Sequence, residues 1–154
     1  MRISVQEAPF HLGAEVEAFT RPLDGMGALV TFTGVVRDSV ETPLLAMEIE
    51  HYPGMTETAL TEIAIQAQSR WHLGDVLVIH RYGRLAPGDM IMMVATAAPH
   101  RNDAFEAAEF LMDYLKSRAP FWKREITKDG ATWVAAKDED EAALDRWSDP
   151  KINS

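Results

Sequence analysis

The stretch VLVIHRYGRLAPGDMIMMVATAA, residues Val76 to Ala98, decides the fold class. Its two ends are apolar runs of strand length, the first rich in β-branched residues, so Val76–Tyr82 and Met90–Ala98 are predicted as strands. Ala86-Pro87-Gly88-Asp89 between them is a turn, so the two runs pair across it without an intervening helix. Met90–Ala98 is almost wholly apolar, the pattern of a central strand. Upstream, a helix is predicted from Thr56 to Trp71, with Leu60, Ile63, Ala64, Ala67 and Trp71 on one face and Thr56 as its N-cap. Downstream, a second helix is predicted from Asp103 to Lys116, with a stripe of Phe105, Ala108, Leu111, Met112 and Leu115. Asp103 and Glu106 have the spacing of a capping box at its start.

Further out, Ala28–Arg37 is predicted as a buried strand, and Leu45–His51 as a strand whose Leu45, Met47 and Ile49 face inward. Phe121–Thr127 and Thr132–Ala136 flank the Asp129-Gly130 pair as a hairpin, and a short helix is expected near Ala142–Trp147. The fold class is therefore α/β in the broad sense (α+β), with mixed or antiparallel strands and two main helices. The 154 residues suit one domain spanning 1–154, with an acidic C-terminal tail from about residue 138.

Composition removes several chemistries. There is no cysteine, so the chain has no disulfide, no thiolate metal ligand and no thiol nucleophile. The five histidines lack metal-ligand spacing, so no metal or cofactor is expected. A net charge of −9 argues against broad nucleic-acid binding and against a basic membrane-surface helix. No run approaches the roughly 20 apolar residues of a membrane span, and a cytoplasmic protein is expected.

Charge is nevertheless uneven. Residues 100–128 hold six of the fifteen basic residues and five of the twenty-four acids, a net +1 against −10 elsewhere. That pattern fits a confined anion site, and it also fits an ordinary scatter of surface cations. His100 and Arg101 sit between an apolar strand and a helix start, where free N–H groups and the helix dipole favour anions. Lys116 falls in a last helical turn, and Lys123 stands in the bulky run Pro120-Phe121-Trp122-Lys123-Arg124. A lysine against such walls loses hydration and becomes a usable base or nucleophile, or else it simply packs its stem on Trp122. Arg37 ends a strand beside a loop, a place for a binding residue and equally for a solvated charge. The residues alone leave open an enzyme and a non-catalytic module that holds an anionic metabolite or a partner's tail. A nucleotide-binding enzyme is disfavoured, because no Gly-rich phosphate loop appears.

Four blocks carry a family resemblance: Glu50-His51-Tyr52-Pro53-Gly54-Met55, Ile79-His80-Arg81 with Pro87-Gly88-Asp89, Pro99-His100-Arg101, and the run from Met112 to Glu125. In this order they closely resemble the catalytic (large) subunit of molybdopterin synthase, over about residues 10–147. The resemblance implies an α/β-hammerhead fold and a homodimer. Each subunit would bind a small ubiquitin-like sulfur-carrier subunit with a Gly-Gly C-terminus, giving a heterotetramer. It implies transfer of two sulfurs from the carrier's thiocarboxylate to cyclic pyranopterin monophosphate, forming the dithiolene of molybdopterin. By motif, Lys116 and Lys123 match the essential lysines, while Arg37, His100, Arg101, Arg124 and Glu125 match substrate-binding positions. Val35 stands where some members have a lysine, and the loop 38–44 is shorter than in relatives.

Overall fold

The computed structural model describes residues 1–134 and 138–148. It contains β1 (Arg2–Gln6), α1 (Leu12–Thr20), β2 (Ala28–Val35), β3 (Leu44–His51), α2 (Met55–Trp71), β4 (Asp75–Arg81), β5 (Gly83–Leu85), β6 (Met90–Ala98), α3 (Arg101–Ser117), β7 (Phe121–Thr127), β8 (Gly130–Trp133) and α4 (Asp138–Asp145). Among the described residues, two four-stranded sheets form, one ordered β1-β4-β6-β2 and the other β5-β3-β7-β8. This is the mixed α+β arrangement expected.

β4 and β6 pair antiparallel, from Asp75 opposite Ala97 to His80 opposite Met92. Their near-continuous apolar sequence has a direct cause: both faces are covered. Val76, Val78, Met92 and Val94 pack with residues of α2 and α3, whereas Leu77, Ile79, Met93 and Ala95 pack with Phe19 and the apolar side of α1. The connection between them is more than a turn. Gly83, at φ +90°, redirects the chain so that Gly83–Leu85 leaves the first sheet and pairs with β3 in the second. β1 and α1 went unread in the sequence; β1 pairs parallel with β4, and the His11 ring caps α1 by accepting from the Ala14 N–H at 3.0 Å.

Both main helices form, with different starts and a different inner stripe. Gly54 caps α2, and the Thr56 hydroxyl, fully buried, instead donates to the Tyr52 carbonyl at 2.8 Å. His100 occupies the N-cap of α3, leaving Asp103 in the first turn as an acid favoured by the helix dipole. Ala104, Ala107, Ala108, Phe110 and Leu111 form the buried face of α3, while Phe105 is 60% exposed. The three alanines let the helix lie close to the sheet, and the Thr96 hydroxyl on β6 donates to the Ala104 carbonyl at 2.7 Å. Leu45 is also outside, at 57% exposed, because β3 shifts register between Leu44 and Ala46 and turns Leu44 and Ala46 inward.

β7 and β8 form the expected hairpin, closing at Thr127 opposite Gly130. β8 ends at Trp133; residues 135 and 136 of the predicted strand, like the tail beyond 148, lie outside the described residues. The acidic run begins α4 rather than preceding it. Trp147, just after α4, packs edge-on to Trp71 and Phe110, and its indole N–H donates to Asp113 at 2.6 Å.

Candidate active site

β6 runs away from the Asp89 turn and α3 runs back, so the C-terminal end of α3 returns to the place where β6 begins. β2 reaches the same place, and its register against β6 slips between Gly34 and Val35. β7 enters from Pro120 beside them. A pocket of about 100 Å³ opens there. Phe32, Val35, Ile91, Met112 and Leu115 supply apolar wall, and His80, Lys116 and Lys123 are its titratable groups.

Lys116 and Lys123 thus meet, although Pro120 separates their elements. Lys116 is exposed at the last turn of α3; Lys123 is partly buried on β7. Burial holds the Lys123 ammonium below the ordinary lysine pKa, the charge of Lys116 lowers it further, and Asp140 on α4 acts weakly the other way. His80, 3% exposed, is a pocket group that the charge-based reading passed over. Its signal was present in the sequence, as a histidine directly following the apolar run Val76–Ile79 on a strand.

The other expected residues are distributed. Arg37 is exposed one residue beyond Val36, whose backbone N–H and carbonyl are bonded to Asp89 and Gly88; it lies at the pocket's end of the sheet. His100 and Arg101 are exposed at the opposite end of α3. At 1.5 Å per residue, Arg101 and Lys116 are about 22 Å apart along the helix. A single pocket spanning His100 to Arg124 therefore does not exist within one chain. Arg124 alternates with Lys123 and faces away from the pocket, pairing with Glu48 directly opposite on β3 and lying over the Trp133 ring at 5.3 Å. Glu125 is exposed, between Met47 and Thr132, and does not line the pocket. Among the described residues, no group of three or more His, Asp or Glu side chains is arranged to hold a metal ion.

The position of His100 and Arg101 depends on a glycine in the neighbouring loop. A Cβ on Gly27 would stand 2.5 Å from the Pro99 carbonyl oxygen. Gly27→Ala is therefore expected to lower stability by about 1–3 kcal/mol, read as a fall in denaturation midpoint, because backbone must move to admit the methyl. An unchanged midpoint would show that the Pro99 segment yields freely.

The family model described as MoaE protein matches residues 5–118. The chain belongs to the MoaE family. A relative from Cereibacter sphaeroides, named molybdopterin synthase catalytic subunit, is 66% identical over 147 residues, covering 96% of this chain and all of that protein. The structure titled molybdopterin biosynthesis MoaE protein from Burkholderia ambifaria superposes with a TM-score of 0.77 at 53% identity, over 96% of this chain and 99% of the other. A chain from the complex of subunits 1 and 2 of molybdopterin-converting factor from Helicobacter pylori has the same fold, with a TM-score of 0.73 at 17% identity, covering 88% and 90% of the two chains. No helix among the described residues is long and apolar enough to cross a membrane.

Proposed function

We propose that this chain is the catalytic subunit of a molybdopterin synthase, a sulfur-transferring enzyme of molybdenum cofactor biosynthesis. The observation that carries the chemistry is the meeting of Lys116 and Lys123 at one small, largely apolar pocket in a chain without a thiol. With no cysteine to carry sulfur, the donor comes from outside. The proposed donor is the C-terminal thiocarboxylate of a small ubiquitin-like carrier ending in Gly-Gly, and the acceptor is cyclic pyranopterin monophosphate.

The lysines divide the work by environment. Lys123, held below the ordinary lysine pKa by burial and by the charge of Lys116, gives up its proton more readily than a solvated lysine and moves protons during sulfur attack and loss of the displaced oxygen. Lys116, more exposed, supplies positive charge to the carrier's carboxyl end and to the oxyanion that develops there. Arg37 lies at the right end of the sheet to bind an anionic edge of the substrate. The decisive assay supplies thiocarboxylated carrier and cyclic pyranopterin monophosphate and scores dithiolene product; no product in the presence of both would overturn the reading.

His100 and Arg101 join this scheme only from a second copy of the chain, since about 22 Å of helix separates them from Lys116. A homodimer sharing its sites across the interface is therefore part of the proposal, and two carriers bound to it give the heterotetramer. Mixing Lys123→Ala and Arg101→Ala chains tests it. Each homodimer should be nearly inactive, while the mixture should regain activity through dimers in which one site is wholly unsubstituted. A mixture no more active than its parts would place Arg101 outside the site.

A further inference from the structure

Of the titratable groups at the pocket, His80 has no task in the reaction above. Its ring stacks on Phe121, with centroids 3.7 Å apart and planes 15° from parallel. Nδ1 stands 2.8 Å from the Arg81 carbonyl oxygen, which only accepts, so Nδ1 carries the hydrogen. Burial pushes the pKa down to about 3 despite that bond, so the ring is neutral in ordinary solution. The imidazole is thus fixed in tautomer, in orientation and in charge.

What it is fixed against matters. Phe121 and Lys123 are two residues apart on β7 and share one face of the strand. Pairing of β7 with β3 begins at Phe121, opposite His51, immediately after Pro120. The His80 ring is therefore a stop against which the first residue of the strand rests, and Lys123 follows from that placement.

We propose that His80 is a positioning residue for Lys123: its ring, clamped to the Arg81 carbonyl and stacked on Phe121, holds the start of β7 against β4 so that Lys123 stays packed in the pocket. The inference rests on the reading of Lys123 as a working residue, but its test needs no turnover. Among the described residues, the charged groups that act on Lys123 are Lys116 on α3 and Asp140 on α4, and those that act on His80 are Lys123 and, on β3, His51. If the clamp loosens, water reaches the Lys123 ammonium and its titration moves up toward the ordinary lysine value.

The experiment labels the full chain with acetic anhydride across a pH series and follows acetylation of Lys123 by peptide mass spectrometry. His80→Asn keeps an N–H for the Arg81 carbonyl and removes the ring; His80→Phe keeps a ring to stack and removes the N–H. Asn should raise the Lys123 titration midpoint by about one pH unit, and Phe should leave it within about 0.3 unit. Phe121→Leu, which removes the other half of the stack, should act like His80→Asn and serves if that variant fails to fold. An unmoved midpoint in the stack-breaking variants overturns the proposal, as does a shift in His80→Phe as large as in His80→Asn. A shift as expected in a protein that forms no dithiolene would sink the proposed reaction and leave the positioning role standing.

Discussion

Lys123→Ala is expected to slow dithiolene formation by about 10²–10⁴-fold, the usual contribution of a positioned proton-transfer group. Lys116→Ala should cost about 10²–10³-fold, the scale of losing one charge-stabilising donor. Single turnover with thiocarboxylated carrier is the measurement, and carrier binding should survive both changes. Near-normal rates in both variants would remove the lysines from the chemistry. The pH profile adds a signed test. The turn assigned to Lys123 should lie below the usual lysine value of about 10.5, and Lys116→Ala should move it upward, because a like charge that lowered it is gone. Lys123→Met should raise the melting temperature by about 2–4 °C, roughly 1 kcal/mol in a domain of this size, since a desolvated charge is replaced by an apolar chain that fits the walls.

The second large effect is on acid stability. The unfolded chain protonates His80 near pH 6.5, whereas the folded chain resists protonation down to about 3. Between those values the unfolded state binds the extra proton, so stability is unaffected above about 6.5 and is lost as the pH falls toward 3. The loss runs at up to about 1.4 kcal/mol per pH unit. The window from about 6.5 to 4.5 lies above most carboxylate titration, so histidines dominate it, and comparison with His80→Phe separates His80 from the others. Denaturant unfolding of the unaltered protein should show this slope, and His80→Phe should flatten it. A slope unchanged by His80→Phe would assign the acid sensitivity to other groups.

How far the sequence could be read depended on what each signal measures. Strands buried on both faces, such as Met90–Ala98, were legible because continuous apolar composition needs no partner to be recognised. Periodicity places Leu45 and Phe105 inside, and both are outside, because a register slip in β3 and a stripe of alanines on α3 decide orientation. Neither is a local property of the apolar residue itself. β1 escaped notice because five alternating residues with no turn signal say little until β4 lies beside them.

The site divides the same way. Lys116 and Lys123 were singled out in the sequence, but their meeting comes from the reversal of the chain at Pro120. Charge counting grouped Arg124 with Lys123 as neighbours, and the strand's alternation sends them to opposite faces. His80 lies outside the stretch 100–128 whose charge contrast points to the lysines, and its place at the pocket comes from the packing of β4 against Phe121.

That alternation on β7 also limits how this protein can change. Inserting or deleting one residue between Pro120 and Lys123 would turn Trp122 or Arg124 toward the pocket, and would take Lys123 out of it and Arg124 off Glu48 at the same time. Length changes are absorbed only beyond the working residues, at the Lys128-Asp129-Gly130 loop, where the backbone is exposed. Substitutions along Phe121–Arg124 can be tried one at a time, but the spacing is inherited as a unit. A designer moving this site to another scaffold would have to transplant the strand's phase along with its side chains.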